Sequence, residues 1–154
     1  MYKRQKLVKQ FEGCRLTVYA DPGTGSAPWT IGWGSTRDLN DEPFSPGTPP
    51  IIQQLADQLL ARDLQEAFDT VRATLKTPLT LNEAGALADL DYNIGGANFR
   101  SSTLAKDINA GNFEAAAAQF DLWDHANGRE LAGLLRRRQA EEAEFNTPDQ
   151  PQGA

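Results

Sequence analysis

Phe11-Glu12-Gly13-Cys14-Arg15-Leu16-Thr17-Val18-Tyr19-Ala20-Asp21 and, beyond the turn-forming run Pro22–Pro28, Trp29-Thr30-Ile31-Gly32-Trp33-Gly34 contain two changes of local pattern. Just upstream, Leu7, Val8 and Phe11 recur at helical spacing among Lys and Gln, which predicts a short amphipathic helix over residues 3–12, stopped by Gly13. From Arg15 to Ala20 the period becomes two, with Leu16 and Val18 set against Arg15, Thr17 and Tyr19. Asp21 to Pro28 is turn chemistry throughout. Trp29 to Gly34 then alternates again, Trp29, Ile31 and Trp33 on one side and Thr30, Gly32 and Gly34 on the other. A helix followed by a small β-hairpin is the expectation.

Outward from this hairpin, residues 38–50 hold four prolines and several acids and read as an irregular surface segment. The next helix is expected from about Pro49 to Lys76, with Thr48 as its cap, Pro49 in the first turn, and Ile52, Leu55, Leu59, Leu60, Leu64, Phe68, Val71 and Leu75 along its apolar stripe. Its length suggests a strut between two lobes. Thr80-Leu-Asn-Glu83 is a capping box for a helix carrying Leu87, Leu90 and Ile94 and closed by Gly95-Gly96. Ser102 or Thr103 caps a helix to Asn109, Phe113–Trp123 reads as an Ala-rich helix, and Leu131–Phe145 as the last. The expected fold class is α+β: a small hairpin-containing amino-terminal lobe, a long helix and a larger helical lobe, together one domain over residues 1–146 with a cleft between the lobes. Thr147–Ala154, with two prolines and no apolar anchor, is expected to be a mobile tail.

Composition excludes several function classes. The 154 residues are 40% hydrophobic and 23% charged with a mean hydropathy of -0.52, enough chain for a core without staples. One cysteine, Cys14, closes no internal bridge, and one histidine, His125, builds no His-rich metal site. Neither receives a role, Cys14 reading as a small packed residue, and no cofactor or metal is expected. A formal charge of -6 argues against coating nucleic acid. The charge is uneven: residues 3–15 carry Lys3, Arg4, Lys6, Lys9 and Arg15 against Glu12 alone, and residues 38–69 carry seven acids and one base. Such a run is usually a solvated face. No apolar run is long enough to span a bilayer, and no secretory segment opens the chain, so synthesis in the host cytoplasm and no stable membrane insertion are expected.

Asp89-x-Asp91-x-Asn93 imitates a calcium loop but has Ile94 at the sixth position and Arg100 at the twelfth, so a helix is expected there. Gly23-Thr-Gly25 lacks the Lys-Ser/Thr of a phosphate loop. Arg136–Arg138 are expected to pair with Glu141 and Glu142.

The cluster with chemical content is Glu12, Asp21 and Thr30. Two carboxyl groups in unlike settings are what glycoside hydrolysis requires, one to protonate the leaving oxygen and one to act across the sugar ring. Glu12, beside Phe11 at a helix carboxyl end, is expected to hold its proton more tightly. Asp21, in a Gly-rich turn, is expected to be held as the anion by backbone N–H groups. Thr30 shares its strand face with Gly32 and Gly34, a bare surface where a ligand can approach the backbone. Two acids at this separation are nevertheless common.

The wider pattern decides between these readings. Phe11-Glu12-Gly13, Arg15-Leu16, Tyr19, Asp21 and Trp29-Thr30-Ile31-Gly32-Trp33-Gly34 resemble the signature of the single-domain bacteriophage lysozymes (endolysins, phage muramidases; glycoside hydrolase family 24-like), which space their site as Glu-x8-Asp-x5-Thr. Asp91-Tyr-Asn-Ile-Gly95, Phe99, Ser102-Thr-Leu104, Asn109-Ala-Gly111 and Gly133-Leu-Leu-Arg-Arg-Arg-Gln-Ala-Glu141 extend the likeness from about Lys6 to Phe145. Here the Asp21 to Thr30 interval is three residues longer, and Ser35 stands where the family often has His.

The resemblance implies a lysozyme-like fold and a muramidase cutting the β-1,4 bond between N-acetylmuramic acid and N-acetylglucosamine with inversion. Its catalytic residues would be Glu12, Asp21 and Thr30, and Tyr19, Trp29, Gly32, Trp33 and Gly34 would contact substrate. Its partner would be peptidoglycan glycan strands, bound by a monomer that reaches the wall after release from the cell. A lytic transglycosylase, or a non-catalytic wall-binding or phage-tail module, are the alternatives.

Overall fold

The computed structural model describes residues 5–126 and 128–149. The chain divides into two compact units, residues 1–65 and 66–154.

In the first unit, α1 (Lys6–Phe11) buries Leu7 and Val8 and ends at Glu12, whose N–H donates to the Val8 carbonyl at 2.7 Å. Strand β1 (Arg15–Tyr19) pairs antiparallel with β2 (Thr30–Gly32), Arg15 opposite Gly32 and Tyr19 opposite Thr30. The alternation expected to continue to Gly34 stops at Gly32. Ile31 and Ser35 exchange backbone hydrogen bonds at 2.9 and 3.0 Å, so Gly32, Trp33 and Gly34 turn the chain. Gly32 and Gly34 have φ of 67° and 119°, values that only glycine adopts without strain.

Helix α2 (Gln53–Thr74) is shorter than expected at both ends. Thr48 does not cap it: its hydroxyl accepts the Ser45 N–H at 3.0 Å, and the Ile51 N–H donates to the Leu16 carbonyl at 2.9 Å. Pro49 and Pro50 therefore lie in an extended segment beside β1, and the Ile52 carbonyl accepts the first helical N–H groups. Within the first unit, Ala56, Leu59, Leu60 and Leu64 of α2 are buried, as is Ile31 of β2. The polar side of the helix holds the loop after the hairpin. Arg62 donates to the Arg37 carbonyl at 2.9 Å and to the Asp38 carbonyl, and Asp63 accepts from the buried Ser35 hydroxyl at 2.5 Å.

The second unit is helical. Thr80 and Glu83 form the predicted capping box of α3 (Leu81–Ile94). Helices α4 (Gly96–Ser101), α5 (Thr103–Asn109, capped by Ser102) and α6 (Phe113–Ala118) follow. The single helix expected to reach Trp123 is broken into α6 and a 3-10 turn over Phe120–Trp123. A two-residue ribbon, β3 (His125–Ala126) with β4 (Arg129–Glu130), precedes α7 (Ala132–Phe145). The core joins Val71, Leu87, Leu90, Phe99, Leu104, Ile108, Phe120 and Phe145, with the rings of Phe120 and Phe145 5.5 Å apart.

Two expectations fall partly on residues outside those described: Lys3 and Arg4 of the basic run, and 150–154 of the tail. The described part of the tail is anchored, the Asp149 carboxylate accepting the N–H groups of Leu81 and Asn82 at 2.8 and 3.0 Å. These are donors that a helix leaves open in its first turn.

Asp91, which opens the family-like motif on α3, is a buried acid, 5% exposed, whose Oδ1 has no hydrogen-bond partner among the described residues. Burial pushes its carboxyl up to about 6, against the pull of the Arg100 guanidinium. An acid raised in the folded state contributes most below its unfolded value, near 4, and that contribution is lost as pH rises through 6. Asp91→Ala is therefore expected to stabilise the protein by about 2 kcal/mol at pH 7 and to lose that advantage below pH 4. Thermal unfolding of both proteins at the two pH values checks this; an equal gain at both would refute it.

Candidate active site

Glu12 is the first residue beyond α1, in extended backbone (φ -90°, ψ 134°) and half-buried. A six-residue helix can set its position only by being anchored, and Leu7 and Val8 provide the apolar part of that anchor.

Asp21 begins the lengthened turn. The backbone donors expected around it are present: Gly23 and Thr24 N–H groups both reach Oδ1 at 2.9 Å, leaving Oδ2 with no protein donor among the described residues. The turn is closed by its own bonds, Asp21 N–H to Ser26 carbonyl at 2.9 Å, Gly25 N–H to Asp21 carbonyl at 2.8 Å, and Thr24 hydroxyl to Ala27 carbonyl at 3.0 Å. The lengthened turn thus forms a compact loop that binds one of the two Asp21 carboxylate oxygens.

Thr30 opens β2, 9% exposed, with its hydroxyl donating to the Pro28 carbonyl at 3.3 Å and its oxygen still able to accept. Tyr19 connects the three elements. Its Cα pairs with Thr30 across the ladder, and it lies two residues before Asp21. Burial raises its phenol, the negative charge of Glu12 raises it further, and Arg15, whose guanidinium stands 4.4 Å from the ring centroid, opposes both. Thr30 is thus the partner of Tyr19 across the ladder, and the charge of Glu12 acts on the Tyr19 phenol.

The supporting residues separate into two groups. Trp29 is half-buried and Tyr19 borders the acids. Gly32 corrects the bare-face expectation: it is buried, and a Cβ there would stand 3.3 Å from the Ala56 Cβ on α2. The missing side chain lets α2 approach the strand. Gly34 belongs to the turn, and Trp33 donates its indole N–H to Asp57 Oδ1 of α2 at 2.8 Å. Among the described residues no group of three His, Cys, Asp or Glu side chains is arranged to hold a metal ion.

Comparison with known proteins gives the family. The family model described as phage lysozyme matches residues 9–141. The chain belongs to the phage lysozyme family. It is 37% identical over 145 residues to the endolysin of Acyrthosiphon pisum secondary endosymbiont phage 1, covering 92% of this chain and 93% of that one. It is 35% identical to the endolysin of Bacillus phage B103 and spans about half of that protein, 51%, with 92% of its own length. Among solved structures, the muramidase domain of SpmX from Asticaccaulis excentricus superposes with a TM-score of 0.80 at 32% identity, covering 96% of this chain and 97% of that one. Family membership makes the chain a lysozyme-type glycoside hydrolase with the α+β, lysozyme-like fold.

Within this phage lysozyme family member, Ser35 occupies the position often held by His, and the structure shows what replaces that side chain: a short hydrogen bond to Asp63, itself 2.8 Å from the Arg62 Nε. The sequence reading missed Asp63, Asp57, Gln53 and Lys9 as supports of the hairpin. The available signal was weak: Gln53 and Asp57 are four apart on α2 and share one helix face.

Proposed function

We propose that this lysozyme hydrolyses the β-1,4 bond between N-acetylmuramic acid and N-acetylglucosamine in peptidoglycan, with Glu12 as general acid. Asp21 orients or activates the attacking water through the oxygen its turn leaves unbound, or stabilises the cationic ring, and Thr30 holds that water. Tyr19 and Trp29 contact the glycan, while Gly32, Trp33 and Gly34 shape the hairpin behind it. The observation that carries this reading is the pairing of Tyr19 with Thr30 while Tyr19 feels the charge of Glu12. Both relations bear on Tyr19, which supports reading the signature residues as one site.

Inversion is the stereochemical reading, since a water held by Asp21 and Thr30 attacks from the face opposite the leaving group. The protein acts as a monomer, is made in the host cytoplasm and reaches the wall after release. Among the described residues no helix is long and apolar enough to cross a membrane.

Mass spectrometry of muropeptides released from purified sacculi tests the assignment. The expected products carry reducing N-acetylmuramic acid ends, first released as the inverted anomer by NMR. Anhydro ends would mean a transglycosylase, and no release at all an inert binding module.

A further inference from the structure

One oxygen of one side chain ties the pieces of the site together. Asp57 Oδ1, on the first turns of α2, accepts from the Trp33 indole at 2.8 Å, from Lys9 Nζ at 3.0 Å and from Gln53 Nε2 at 3.1 Å. Lys9 also stands 5.2 Å from the centroid of the Trp33 ring. Gln53 continues the chain to Cys14, with Nε2 3.6 Å from Sγ. Lys9 lies three residues before Glu12, Cys14 two residues after it, and Trp33 three residues after Thr30.

We infer that Asp57 is a positioning residue for hydrolysis: by holding Lys9, Trp33 and Gln53 on one oxygen it sets Glu12 against the Thr30 strand. The inference rests on Glu12 being the proton donor. Short α1 cannot fix its own direction, and its buried residues Leu7 and Val8 leave the helix free to pivot along its polar side. Lys9 closes that side. The Gln53 link holds the chain on the far side of Glu12, so both flanks of the acid refer to the same helix turn. Partial burial disfavours the Asp57 anion, but the hydrogen bonds from Trp33, Lys9 and Gln53, with the Lys9 charge, outweigh it and hold the carboxyl below its ordinary value. The hub is thus charged at neutral pH. Catalytic geometry is sensitive on this scale, since a displacement of about 1 Å costs about 10²-fold in rate.

Steady-state release of reducing ends from purified sacculi, with melting temperatures measured in parallel, tests this. Asp57→Ala is expected to lower kcat by about tenfold or more with KM within about twofold of the wild type. Asp57→Asn keeps an acceptor for the Trp33 indole and is expected to recover kcat to within about threefold of the wild type. If Asp57→Ala does not fold, Lys9→Met, which retains the stem over Trp33, is expected to lower kcat severalfold at unchanged KM. A folded Asp57→Ala or Lys9→Met protein with wild-type kcat overturns the inference, as does an Asn variant no better than Ala. A wild-type protein that releases no reducing ends refutes instead the glycosidase reading beneath it.

Discussion

Glu12→Gln is expected to reduce muropeptide release by about 10² to 10⁴-fold while the protein folds and binds sacculi as before. Glutamine keeps the length and shape of the side chain and most of its hydrogen-bonding capacity but has no proton to give to the leaving oxygen. Its structural cost is small: Glu12 is half-buried at a helix end, its N–H bond to Val8 belongs to the backbone, and Leu7 and Val8 carry the packing of α1. The melting temperature is expected to stay within ~2 °C of the wild type. Turbidity loss of a sacculus suspension and a sedimentation assay of binding separate the two effects. Undiminished turbidity loss with the variant would remove Glu12 from the mechanism, whatever happened to binding.

What was legible in the sequence was local. The capping box Thr80–Glu83 announces α3 because both of its hydrogen bonds lie within four residues, and the change from helical to alternating pattern after Gly13 announces the hairpin. Glu12, Asp21 and Thr30 stand out as candidates because the order of the family signature is kept despite a longer turn. What failed depended on partners distant in the chain. Thr48-Pro49 has the composition of a helix start, yet the Leu16 carbonyl, far upstream, takes the Ile51 N–H and holds the segment extended. Gly32 reads as part of a bare strand face, but Ala56 on α2 packs against it, and the partner of the Trp33 indole, Asp57, lies on the same distant helix. The break at Gln119 between α6 and the following 3-10 turn likewise has no sequence punctuation, for Ala-rich sequence favours continuing.

The same limit applies to the Arg136–Arg138 run, and there it hides a large energetic term. The pairing expected with Glu141 is present, but the decisive partner is Asp89 on α3. Arg137 binds it in bidentate fashion, Nε to Oδ2 at 2.9 Å and Nη2 to Oδ1 at 3.1 Å. Arg138 meets Glu141 at 2.7 Å, and Arg137 approaches the same Glu141 oxygen at 3.3 Å. All four residues are 3% exposed or less. Glu142, the other expected partner, is raised by partial burial and then by the negative charge of Asp121. Burial pushes the Glu141 carboxyl up to about 10 and the Arg138 guanidinium down, a hydrogen bond with Asp89 adds to the first, and the guanidinium charges oppose it. Two guanidinium groups and two carboxyl groups satisfy one another there, so the cluster tolerates burial only as a set.

Asp89→Ala is accordingly expected to destabilise the protein by about 3 to 5 kcal/mol, because it strands a buried guanidinium as well as deleting a bond. Removing both partners is the discriminating step. Asp89→Leu combined with Arg137→Met fills the space with apolar atoms and is expected to recover most of the loss, to within about 1 kcal/mol of the wild type. Urea unfolding of Asp89→Leu, Arg137→Met and the double variant gives the coupling energy of the pair. If the double variant is as unstable as the sum of the singles, the pair does not act as a unit, and the joint between α3 and α7 must rest on its apolar contacts instead.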